Sequence, residues 1–165
     1  MKTLKRRRKE HKTDYKRRIG LLKSEIPRIV FRKSNRYLSA QYIVHEEAQD
    51  KIIFSLNSKN LLKYGWPEDM KGSLKSIPAA YLLGLLSGKE IIKKKLEIPI
   101  LDLGMIRSIE KSKPFAFIQG AVDSGIKLKT KESSLPEKER THGKSLKKDF
   151  SVTFNRIKEK IGESK

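Results

Sequence analysis

The segment Ile77-Pro-Ala-Ala-Tyr-Leu-Leu-Gly-Leu-Leu-Ser-Gly-Lys-Glu-Ile-Ile-Lys-Lys-Lys-Leu-Glu-Ile-Pro-Ile-Leu-Asp-Leu103 reads as a helix followed by a buried strand. Pro78 sits near the helix start, where its missing N–H costs nothing, and Lys93, Lys94 and Lys95 close it against the negative end of the helix dipole. The helix is expected over Ala79 to about Lys94. Gly84 and Gly88 share one of its faces and predict close packing of helix on sheet. Ile98 to Leu103, bounded by Glu97 and Gly104, is a short apolar run that fits a strand reached by a right-handed crossover, so it should pair parallel to an earlier strand. The longest apolar stretch, Ile77 to Leu86, is too short and too interrupted by Pro78 and Gly84 to cross a bilayer.

Upstream, Arg28 to Lys33 and Tyr37 to His45 are rich in β-branched and aromatic residues and predict an antiparallel hairpin turning through Ser34-Asn35-Arg36. A third run, Lys51 to Asn57, follows the polar connection Glu46-Glu47-Ala48-Gln49-Asp50 and completes a meander. Tyr64-Gly65-Trp66-Pro67 lies in a loop-rich stretch, where Trp66 is expected to plug the edge of the core. Downstream, Arg107 to Lys113 reads as a charged loop, and Pro114 opens a second amphipathic helix with Phe115, Ile118, Ala121 and Val122 on one side, ending at Gly125. The body therefore reads β-β-β-α-β-α, an α/β fold. Phe150, Val152, Phe154, Ile157 and Ile161 form a weak apolar pattern in an otherwise solvated tail, expected to order only on a partner.

Charge is distributed unevenly along this body. Residues 1–36 hold 15 Lys/Arg against 3 Asp/Glu, residues 37–125 hold 12 against 10, and residues 126–165 hold 12 against 6, for a net formal charge of +20. A folding unit gains nothing from self-repulsion of that size, so the excess points to a polyphosphate partner. Thr13-Asp14 resembles a helix start, and Tyr15, Ile19 and Leu22 recur at helical spacing; such a helix would press Ile19 and Leu22 on the body and turn Arg17 outward. Pro27 ends it.

Several chemistries lack residues to support them. The chain has no cysteine, which removes disulfides, thiolate zinc sites and thiol nucleophiles and fits a reducing, cytoplasmic compartment. The basic start is not followed by the apolar segment of a signal peptide. His11, His45 and His142 lie in separate segments without a second ligand at metal spacing, and no Gly-rich phosphate loop follows a strand. Ser34, Ser55 and Ser87 have no nucleophile-elbow context. Asp102 falls near the carboxyl end of a strand, where α/β sheets place functional groups, yet two-metal chemistry needs several converging acids and the first strand offers Arg28 and Arg32. Asp102 is expected to order a loop or cap a helix, and Asp123 to lie on the surface. No cofactor, metal or small-molecule substrate is expected.

Arg6-Arg7-Arg8-Lys9-Glu10, Lys12-Thr13-Asp14-Tyr15, Arg32-Lys33-Ser34-Asn35, Lys63-Tyr64-Gly65-Trp66 and Pro78-Ala79-Ala80-Tyr81-Leu82-Leu83-Gly84-Leu85-Leu86 together resemble the archaeal form of large-subunit ribosomal protein eighteen. Leu101-Asp102-Leu103-Gly104 and Phe115 to Gly125 are similar to the same family's strand and closing helix, so the resemblance spans Arg6 to Leu128. A looser likeness runs from Leu135-Pro136-Glu137 to His142-Gly143. The resemblance implies a three-layer, ribonuclease-H-like α/β fold of the translational-machinery type, with a mixed sheet begun by the antiparallel meander. It also implies division into a basic RNA-binding arm over 1–12, a 5S-rRNA-binding domain over 13–130 and a charged C-terminal extension over 131–165.

No catalysis is implied. The implied partners are 5S rRNA, the large-subunit rRNA and neighbouring ribosomal proteins of the central protuberance, without a membrane. The RNA-binding residues carried by the likeness are Arg6, Arg7, Arg8, Lys9, Lys12, Tyr15, Arg17 and Arg18 of the arm and first helix, with Arg28 of the first strand. Arg32, Lys33, Ser34, Asn35 and Arg36 of the hairpin tip follow, then Arg107, Lys111 and Lys113 of the loop before the last helix. That loop departs from the family's commoner Gly-Ser-Arg lead-in, and Lys127-Leu128-Lys129-Thr130 replaces its Pro-His-Gly segment. Tyr15 and Tyr37 are either stacking platforms or covers of the core edge. The alternatives are an RNA-processing nuclease or a general RNA binder on the same fold, and a basic membrane-surface protein, for which the first helix has too narrow an apolar stripe.

Overall fold

Alternation along one six-residue strand organises the molecule. The computed structural model describes residues 3–10, 12–46, 49–128, 130–144, 146 and 150–163; Met1, His11, Glu47, Ala48 and Lys129 lie outside them. Strand β1 (Arg28–Lys33) pairs antiparallel with β2 (Leu38–Glu46) and parallel with β4 (Ile100–Asp102), and β2 pairs antiparallel with β3 (Gln49–Asn57). The sheet order is β3-β2-β1-β4, the expected meander with one parallel strand added. Because side chains alternate, Ile29 and Phe31 face one side with Tyr42 and Ala40, their partners in register, while Arg28, Val30 and Arg32 face the other. The parallel register aligns Asp102 with Val30, which puts its carboxylate on the arginine face.

The apolar face is covered by α3 (Ile77–Lys93), buried from Pro78 through Gly88, and by α4 (Lys113–Asp123). Ser76 caps α3 by accepting the Ala79 N–H, and Pro78 occupies its first turn as predicted. Gly84 and Gly88 serve a different contact from the expected one: they admit α4 rather than the sheet. A methyl group on Gly84 would overlap the Phe117 carbonyl, and one on Gly88 would overlap the Ser124 hydroxyl. Since α4 is gripped this closely by α3, its buried set is Pro114, Ala116, Phe117, Gly120 and Ala121, while Phe115, Ile118 and Val122 are only half-buried. The predicted stripe is thus rotated by about one residue. At the end of α4, Asp123 is exposed, the surface position expected of it, and there accepts the Tyr81 hydroxyl, which links α4 to α3.

The C-terminal segment corrects the expectation of a solvated tail. Helix α6 (Ser151–Glu163) inserts Phe154, Ile157 and Ile161, each fully buried, into the same core as α3, and Phe150 just before it packs on Trp66 with ring centroids 4.5 Å apart. Trp66 is buried and donates its indole N–H to the Met70 carbonyl at 3.1 Å, the plug expected of it. Phe154 also meets Tyr81 and His142, with centroids 5.3 and 4.9 Å away. Lys89 of α3 donates to the Ile161 and Gly162 carbonyls, satisfying backbone acceptors that the helix end leaves open.

Candidate nucleic-acid interface

On the opposite face of the sheet lies α2 (Tyr15–Lys23). Asp14 is its N-cap, accepting the backbone N–H groups of Lys16 and Arg17 at 3.1 and 3.4 Å. The Arg17 N–H, assisted by the nearby Arg8 charge, holds the Asp14 carboxyl below its ordinary value. The helix buries none of its residues fully, and Ile19 is 53% exposed, so Ile19 does not press on the body as expected. Leu22, the other residue of the expected stripe, is half-buried, and polar bonds add to its hold on α2. Arg18 pairs with Asp50 of β3 at 3.1 Å, and Arg17 donates to the Gly104 carbonyl beyond β4 at 3.4 Å.

Beneath α2 the sheet presents a chain of alternating charges. Arg28, only 3% exposed, reaches Asp50 at 2.6 Å and Asp102 at 3.7 Å; Arg32 pairs with Asp102 at 3.2 Å and donates to its carbonyl at 2.8 Å. Asp102 also accepts the Gly104 N–H at 2.7 Å, the loop-ordering role read from the sequence. Gly104 has φ 58°, and a side chain there would collide with the Arg32 guanidinium lying across it. The arm continues the cleft: α1 (Arg6–Lys9) precedes Thr13, which is buried and accepts the Arg7 Nε–H at 2.9 Å, while Arg8 pairs with Asp14 at 3.1 Å. Arg6 and Lys12 both bind Glu10, whose carboxyl is lowered chiefly by Lys12. Arg7, Lys12, Arg17, Arg18, Arg28 and Arg32 thus line one concavity together with Asp14, Asp50 and Asp102.

The hairpin tip and the loop before α4 lie at the carboxyl end of β1. Ser34 closes the hairpin, its hydroxyl donating to the Tyr37 carbonyl and accepting the Tyr37 N–H at 2.8 and 2.9 Å, and the Asn35 carbonyl accepts Lys75 at 2.9 Å. Lys33 and Arg36 are exposed. Lys33 shares a trough with Arg107, Lys111 and Lys113, which brings the tip and the loop before α4 onto one surface. Burial, and then the charges of Lys33 and Lys75, push the Lys113 amine below its usual value. Lys9 is exposed on α1. The rings of Tyr15 and Tyr37 each carry a lysine, Lys5 at 4.7 Å and Lys59 at 4.6 Å from the centroid.

Sequence reasoning missed Asp50, Thr13 and Lys75. Asp50 looked like part of a polar connection, and only the strand register carries it under Arg18 and Arg28. Among the described residues there is no group of three or more His, Asp or Glu side chains able to hold a metal ion, and no helix is long and apolar enough to cross a membrane.

Comparison with known proteins follows the same chain of residues. A family model described as ribosomal large subunit proteins 60S L5 and 50S L18 matches residues 1–98. The large ribosomal subunit protein uL18 of Korarchaeum cryptofilum (strain OPF8) is 40% identical over 141 residues, covering 86% of this chain and 70% of that protein. Its counterpart of the same name from Methanococcus maripaludis is 38% identical over 142 residues, covering 86% of this chain and 72% of that protein.

Proposed function

The chain belongs to the family of large-subunit ribosomal proteins that includes 60S L5 and 50S L18, and from that premise we propose that it binds 5S rRNA through the cleft beneath α2 and helps to anchor it in the central protuberance. It is a structural constituent of the large ribosomal subunit, in cytoplasmic ribosomes, and binds rRNA. The observation that supports the finer reading most is the set of cations held in place by Asp14, Asp50 and Asp102. Arginines fixed before binding lose little entropy on meeting phosphates, and a fixed array fits the contour of one folded RNA better than a mobile one.

In this reading Arg6, Arg7, Arg8, Lys9, Lys12, Arg17, Arg18 and Arg32 contact phosphates, with Tyr15 available for stacking once Lys5 swings aside. Arg28 acts from beneath, holding Asp50 and Asp102. The hairpin tip, Lys33 to Arg36, and the loop cations Arg107, Lys111 and Lys113 extend the contact toward the large rRNA. Residues 1–12 form the arm and 13–130 the RNA-binding domain, with the ribonuclease-H-like arrangement as its fold; helices on both faces of the mixed sheet suit it. On this reading the protein is a scaffold rather than a nuclease: Asp50 and Asp102, the acids of the cleft floor, are each already engaged by two arginines.

Titrating the full chain with 5S rRNA and with an unrelated folded RNA at several salt concentrations tests this. If about eight phosphates are neutralised, log affinity falls against log salt with a slope of roughly −6 to −7, and 5S rRNA is preferred. A flat dependence, equal affinity for both RNAs, or Mg²⁺-dependent cleavage of either would overturn the proposal.

A further inference from the structure

The trough at the carboxyl end of β1 is unlike the cleft under α2. Its volume is about 670 Å³, within the range of small-ligand sites, and Ile77, Ile106, Ile109 and Pro114 give it an apolar floor among charged walls that include Glu110. Ile109 is 61% exposed, which is costly for an isoleucine with no other duty. Cations rim this apolar floor: Lys33 from β1, Arg107 from the loop, Lys113 from the first turn of α4 and Arg140 from α5 (Lys138–His142).

The loop is already built. The Lys111 N–H donates to the Ser134 carbonyl at 2.9 Å, the Ser134 hydroxyl donates to Glu110 at 3.1 Å, and Lys111 pairs with Glu137 at 3.1 Å. Those bonds hold Lys111 at φ 55°, a backbone region that a non-glycine residue occupies only when its surroundings impose it.

We propose that this trough takes one unstacked nucleotide of the bound RNA, its base lying against Ile106, Ile109 and Pro114 and its phosphate held by Lys33 and Lys113. The inference rests on the RNA-binding reading above and adds to it a site for a base rather than for backbone alone. Charge complementarity selects the anion, since Lys33 and Lys113 line the same trough and the positive charges of Lys33 and Lys75 act on the half-buried Lys113 amine, which a phosphate would offset. An aliphatic slot beside the planar Arg107 guanidinium suits a flat base. β4 pairs with β1 only from Arg28 to Val30, so the strand is open on that side beyond Val30, and an extended acidic peptide is the competing occupant that the test separates.

The test uses the full chain and three probes: single-stranded tetraadenylate, its abasic counterpart with the same sugar-phosphate backbone, and a peptide of aspartates and leucines. Wild type should bind tetraadenylate about tenfold tighter than the abasic strand, as expected for one seated base. Ile109→Asp, which folds because Ile109 is exposed, should abolish that preference while the salt slope for 5S rRNA persists, whereas Lys113→Gln should weaken both strands alike and make the slope shallower by about one. No preference in wild type, or a preference surviving Ile109→Asp, overturns the trough and leaves the 5S reading standing. Saturable binding of the peptide that tetraadenylate cannot displace also overturns it, in favour of a protein partner. Loss of salt-dependent 5S binding in wild type fails the underlying reading and takes the trough with it.

Discussion

The Arg28 guanidinium lies in the interior, with 3% of its side chain exposed, and Asp50 and Asp102 meet it there. Replacing such an ion pair outright can be neutral, whereas removing one member strands the other in a poorly solvated site. Arg28→Met should therefore cost about 3 kcal/mol in urea unfolding, the lower end for a broken buried pair, since Arg18 and Arg32 still engage the two aspartates. A loss below about 1 kcal/mol would show that the network is no stronger than a surface pair. RNA affinity should fall in parallel, as Arg18 and Arg32 lose the acids that aim them. The cations themselves were legible in the sequence. Their holders were not, because a carboxylate's partner depends on strand register, and Asp50 lies 22 residues from Arg28 while Asp102 lies 70 from Arg32.

At the level of elements, α3 and α4 meet over backbone rather than over side chains, and the two glycines of α3 test that contact unequally. A methyl group on Gly84 would meet the Phe117 carbonyl and the Ala121 nitrogen, main-chain atoms of a packed helix. On Gly88 it would meet the Ser124 hydroxyl, which can rotate away, and then the Ser124 Cβ at 2.8 Å and the Ala121 carbonyl at 3.2 Å, a milder main-chain clash than at Gly84. Alanine is favoured over glycine within a helix by about 1 kcal/mol, and overpacking costs about 1–3 kcal/mol. Gly84→Ala should therefore lower stability by about 2 kcal/mol while Gly88→Ala stays within about 1 kcal/mol of wild type, compared by thermal melts. Equal losses would mean that α4 shifts as a rigid body instead. The glycine spacing announced a close approach but not its partner, for a sheet and a helix make the same demand on the glycine face. The one-residue rotation of the α4 stripe has the same origin: its buried side is set by where α3 stands.

Across the whole molecule, α6 closes a core that the hairpin, α3 and α4 leave open. Phe154 is fully buried between Tyr81 and His142, so Phe154→Ala should cost about 3–5 kcal/mol, a large share of the roughly 5–15 kcal/mol that holds a domain of this size. Chemical denaturation checks it; a loss under about 1 kcal/mol would restore the picture of a tail that docks only on its partner. The sequence by itself determined the order of strands and helices, the parallel fourth strand, the Trp66 plug and the concentration of positive charge at the amino end, because these follow from residue type and short-range period. Only the tertiary structure decided which acids lock the arginines, that the glycines serve α4, and that the last helix belongs to the core. Each of those depends on contacts between residues far apart in the chain, whose burial is a property of the assembled surfaces and not of any local pattern.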